Sequence, residues 1–138
     1  MTGVDPLGNP ARAALLGPQA QLAEGCGAVL RYPPGISPFV GLPDEPGLDD
    51  WTDLAKPIGA GKVAATAGVA ATPPPGWQVL MNVDAVQLTG KLVAATPDAE
   101  AIPLGPADVP EMLDLVERTK PGPFLPHLRG DASATVTV

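Results

Sequence analysis

The stretch Ala101-Ile102-Pro103-Leu104-Gly105-Pro106-Ala107-Asp108-Val109-Pro110-Glu111-Met112-Leu113-Asp114-Leu115-Val116-Glu117-Arg118-Thr119-Lys120-Pro121-Gly122-Pro123-Phe124 decides how this chain is read. Ala101 to Leu104 has the apolar character of a short strand. A helix follows, with Asp108 as its expected N-cap and Glu111 three residues on, the spacing of a capping box. Pro110 is tolerated in a first turn, where its missing N–H costs nothing. Val109, Met112, Leu115 and Val116 recur at helical spacing and form the expected apolar stripe. Arg118 and Lys120 suit the negative end of the helix dipole, and Pro121 and Pro123 forbid continuation.

Upstream, the same punctuation marks shorter elements. Asn9-Pro10 opens a helix that Gly17-Pro18 stops, with Ala11, Ala14 and Leu15 on one face. Gln19 to Glu24 and Ala28 to Tyr32 read as strands around a Gly25-Cys26-Gly27 turn. Ile36 to Leu42, interrupted by Pro38, reads as an edge strand or coil. Asp49 to Lys56 reads as one or two helical turns, with Trp51, Leu54 and Ala55 facing one way and Pro57 and Gly59 closing it. Lys62 to Thr66 is a short strand candidate. Trp77 to Leu88 is the strongest strand signal, because Trp77, Val79, Met81 and Val83 alternate with polar or exposed positions. Lys91 to Ala95 is a further strand candidate.

Composition bounds what such elements can do. The apolar fraction of 45% is ordinary, but the chain has only two Phe, two Trp and one Tyr. Large side chains carry most of the burial free energy, roughly 1.5–3 kcal/mol each, so a thin core is expected. Nineteen Pro and 16 Gly among 138 residues imply short elements joined by rigid turns. A net charge of −7 with scattered basic residues argues against a nucleic-acid partner. No apolar run approaches the ~20 residues that span a bilayer, so no membrane partner is expected. The N-terminus does not read as a signal peptide, and the single Cys26 fits a reducing compartment, so a cytoplasmic location is expected.

Residues 102–124 are similar to the opening of one subgroup of the GNAT superfamily of acyl-CoA N-acyltransferases. That opening follows the pattern IPL-[GA]-x-ADVPEMLxLVExTxPGPF. Looser matches lie upstream, in the right order, at Asn9-Pro10, Gln21 to Gly25, Arg31-Tyr32, Ser37-Pro38-Phe39 and Pro74 to Trp77. The resemblance implies an α/β fold: an N-terminal α/β unit over residues 1–97, the first strand and helix of an acyltransferase domain over 98–126, and a divergent tail over 127–138. It implies acyl transfer from acetyl-CoA to an amine. It also places Pro123 and Phe124 beside the acceptor pocket, as substrate-binding residues. Hydrophobic anchoring of the turn is the competing role for Phe124.

The acyl-CoA motif of the family lies in the segment that should follow. The nearest approach to it here is His127-Leu128-Arg129-Gly130-Asp131-Ala132, where His replaces Arg or Gln and Asp131 would repel phosphate. The sequence after Pro126 departs from the family, as a shifted reading frame or an early stop codon would produce. The expectation is therefore a truncated acyltransferase that binds no cofactor and is inactive by itself, with no catalytic residue assigned. The alternative is a non-enzymatic interaction module, or a half-enzyme completed by a separate C-terminal half. Self-association is a further expectation, because the last helix lacks its sheet.

Other motifs point to no further chemistry. Gly59-Ala60-Gly61-Lys62-Val63 lacks the first Gly of a Walker loop, at Lys56, and its Ser or Thr, at Val63. Asp44, Glu45, Asp49, Asp50 and Asp53 read as a solvated loop and a dipole-stabilising helix start, without the alternation a calcium loop needs. Cys26 reads as a small buried hydrophobe, His127 as an exposed tail residue, and Arg129-Gly130-Asp131 as a chance tripeptide. No metal site is expected.

Overall fold

A computed structural model describes residues 6–69 and 71–121. The chain divides between Asn82 and Val83 into two compact units. The first is a small α/β fold. Helix α1 spans Pro10–Leu16, and a 3₁₀ turn over Ala20–Leu22 leads into strands β1 (Glu24–Cys26), β2 (Val29–Arg31) and β3 (Val40–Gly41). Helix α2 spans Leu48–Ile58. The second unit contains a 3₁₀ turn at Pro106–Asp108 and helix α3 at Val109–Thr119.

The three strands form an antiparallel sheet in the order β1-β2-β3. Glu24 pairs with Arg31 and Cys26 with Val29, so the hairpin turns on Gly27 and Ala28 rather than on Gly25-Cys26-Gly27. Gly27 adopts φ 59°, and a glycine at the first central position is what a two-residue connection of twisted strands favours. The expected strand from Gln19 shrinks to Glu24–Cys26, because Leu22 and Ala23 instead donate to the carbonyls of Gln19 and Ala20. β3 is an edge of two residues bracketed by Pro38 and Pro43. A single parallel bridge, Phe39 to Ala65, is all that forms of the strand expected at Lys62 to Thr66.

The core lies between this sheet and α2. Val29, Val40, Leu42, Trp51 and Leu54 are buried together, with Ile58, Ala64, Val69, Ala71 and Trp77 packed around them. The Trp51 and Trp77 rings lie 5.6 Å apart at a tilt of 59°, a separation and tilt at which the edge of one ring meets the face of the other. α2 runs through Pro57 to Ile58 and ends at Gly59, whose N–H donates to Ala55 O, so Gly59 closes it and Pro57 does not. Ile58 is half-buried and Ala55 exposed, so Ile58 replaces Ala55 on the expected face.

α1 covers the sheet with Ala11 and Leu15. The approach is close: a Cβ on Gly41 would stand 2.8 Å from Arg12 Cα. Arg12 fixes the contact by donating to the carbonyls of Ala28 at 2.6 Å and Gly41 at 3.3 Å. Asn9 departs from the role expected of it. Its side chain makes no cap; it is 1% exposed and donates to Leu42 O at 2.8 Å and Asp44 Oδ1 at 2.9 Å. Asn9 thus ties the start of α1 to the chain leaving β3.

The strands expected at Trp77 to Leu88, Lys91 to Ala95 and Ala101 to Leu104 do not form. Val86 is 82% exposed, Leu88 94% and Leu92 100%. Alternation supplies a face but no partner, and an unpaired strand leaves its backbone groups to water. The β3 edge is already met by the bridge to Ala65.

Two substitutions test this packing. Leu54→Ala should destabilise the first unit by about 2–5 kcal/mol, read by urea unfolding followed through tryptophan fluorescence. Gly41→Ala should lower the melting temperature and reduce the α1 contribution to far-ultraviolet dichroism; an unchanged melting temperature would show that α1 does not approach the sheet this closely.

Candidate functional site

A group of ionisable side chains lies where α2 meets the β1–β2 hairpin. Asp53 projects from α2 toward the turn, and its Oδ2 occupies the space a Cβ on Gly27 would need, 2.2 Å from that position. Lys56, one turn on, donates to Asp53 Oδ1 at 2.7 Å. The hydrogen bond from Lys56, and its charge, hold the Asp53 carboxyl below the ordinary aspartate range. The same bond and charge raise the Lys56 ammonium. Cys26 also contributes to lowering the Asp53 carboxyl. Cys26 is half-buried rather than buried, which corrects its expected role as a core residue.

Beside this group, Arg31 pairs with Glu24 directly across the hairpin at 2.7 Å. Arg31 also donates to Pro57 O at 2.8 Å, satisfying a carbonyl in the last turn of α2. Glu24, Gly25, Cys26, Val29, Leu30, Arg31 and Pro57 line a cavity of about 170 Å³. Pockets for small ligands run to roughly 300–1,000 Å³, so this one is undersized. The charged groups around it are neutralised within the protein: Arg31 by Glu24, and Lys56 by Asp53. The arrangement locks the hairpin to the helix.

A CoA pyrophosphate takes free backbone amides at a helix N-terminus. In α2, Gly47 N–H donates to Asp50 Oδ2 at 2.8 Å, and Asp50 N–H donates to Gly47 O at 3.1 Å. The second unit repeats the device. Gly105 N–H donates to Asp108 Oδ2 at 2.7 Å, and Asp108 N–H returns to Gly105 O at 3.0 Å. Asp108 therefore holds the N-cap position of α3, as expected, but its side chain makes no cap bond there and instead closes the box begun by Gly105. A carboxylate sits where phosphate would have to sit, so these helix starts do not fit the cofactor.

On α3, Val109, Met112, Leu113 and Val116 are half-buried, whereas Leu115 is 53% exposed. The covered stripe runs through Leu113 rather than Leu115, which corrects the expected face. Arg118 pairs with Asp114 at 2.9 Å, and Lys120 ends the helix at φ 47° with its N–H on Val116 O. Pro123 and Phe124, the expected acceptor-side residues, lie outside the described residues, as do His127 and Arg129 to Asp131. Among the described residues, no three His, Cys, Asp or Glu side chains are grouped to hold a metal ion. No helix among them is long and apolar enough to cross a membrane. No family model, curated protein or solved structure matches the chain.

The Asp53–Lys56 contact has a measurable signature. Because the folded carboxyl titrates below its unfolded value, its contribution to stability is present above the ordinary aspartate value and is lost as pH falls through the lower, folded one. Lys56→Gln should return the Asp53 titration, followed by carboxyl carbon NMR, toward the ordinary value. An unmoved midpoint would show that Lys56 does not set it.

Tyr32 provides a second titration. Its hydroxyl donates to Gln19 Oε1, and partial burial raises its ionisation above the ordinary tyrosine value. The stability this contributes is full below the ordinary value and is lost as pH rises through the raised one. Tyr32 is the chain's single tyrosine. Its ultraviolet titration should therefore give one high midpoint in the folded protein, which falls in urea.

Proposed function

We propose that this chain is an N-terminal portion of a GNAT-type acyltransferase, whose complete domain moves an acyl group from acetyl-CoA to an amine. The observation that carries the reading is the run Ile102 to Phe124, with helix α3 at Val109–Thr119, where that pattern calls for the first helix of the domain. The chain supplies scaffold and the acceptor-side segment at Pro123 and Phe124. The acyl-CoA site belongs to the remaining strands of the domain, in keeping with the sealed helix starts at Asp50 and Asp108. By itself the chain is inactive.

The same features support a second reading, a half-enzyme or interaction module completed by a separate polypeptide. Here the favouring observation is the exposed apolar series Val83, Val86, Leu88, Leu92 and Val93 in the second unit, which a partner sheet would cover.

The test joins residues 1–126 to the C-terminal sheet of an acyltransferase of this subgroup. Acetyl-CoA-dependent thiol release is then followed with a panel of amines. The joined protein should bind acetyl-CoA by calorimetry and turn over, while the 138-residue chain should show a folded dichroism spectrum and no binding. Phe124→Ala in the joined protein should raise KM for the amine several-fold and leave KM for acetyl-CoA unchanged. A folded joined protein without thiol release would sink the acyltransferase reading. Stoichiometric acetyl-CoA binding by the chain alone would overturn the assignment of the site to the remaining strands.

A further inference from the structure

We draw no further inference here: the strongest candidate, the run of exposed apolar side chains from Val83 through Leu88, Leu92 and Val93 to Ile102 and Leu104 in the second unit, carries nothing because nothing in the structure shows what covers it.

Discussion

Burial of Trp51 and Leu54 against Val29, Val40 and Leu42 is the contact on which the first unit depends. The sheet under it has strands of three, three and two residues, too short to persist by backbone pairing alone. Each strand therefore needs the helix as much as the helix needs the sheet. The polar contacts follow from that seating. Asp53 reaches Gly27, and Arg31 reaches Pro57 O, only because Trp51 and Leu54 hold α2 down on the hairpin. On the other side, α1 is fastened by directional bonds from Arg12 and Asn9 more than by its two buried apolar side chains, Ala11 and Leu15.

Asn9 shows how such a bond can constrain a fold while limiting its stability. Both of its described bonds run from Nδ2, while the buried Oδ1 has no partner. An unpaired buried acceptor costs about 1–3 kcal/mol, and the two bonds from Nδ2 offset that cost. The side chain specifies one docking of α1 on the Leu42–Asp44 segment, because no apolar residue of similar size could satisfy Leu42 O. A thin core of this kind relies on specificity from polar contacts where a larger one would use shape.

Helices were more legible in the sequence than strands, for a physical reason. A helix satisfies its backbone within its own segment, so caps and stops written locally suffice. Asn9-Pro10 and Gly17-Pro18 marked α1, and the Asp108 region marked α3 to within a residue. The errors there were of side-chain role. Asp50 and Asp108 both close back on a glycine three residues earlier, a motif in which the glycine contributes only backbone and so leaves little trace in composition. The shifts of face, from Ala55 to Ile58 and from Leu115 to Leu113, arise because several apolar residues in each helix compete for one stripe. The Asp53–Lys56–Cys26 group was not legible at all. Its members are 27 and three positions apart, and only the docking of α2 on the hairpin brings them together.

A strand is a relation between two segments, and its sequence states only one side of it. The alternation from Trp77 to Val83 is as regular as that of any segment in the chain, yet Val79, Met81 and Val83 are each more than half exposed. Two features deny them a partner in the first unit. Pro73, Pro74 and Pro75 lack the N–H that ladder bonding requires, and β3 is only two residues long and already bridged to Ala65. The exposed residues nonetheless keep the period of a strand. Sequences retain that period where burial rewards it, because a half-buried strand gains from alternating faces and a solvated loop does not. A strand pattern on an exposed path is therefore a local signal without a paired segment among the described residues.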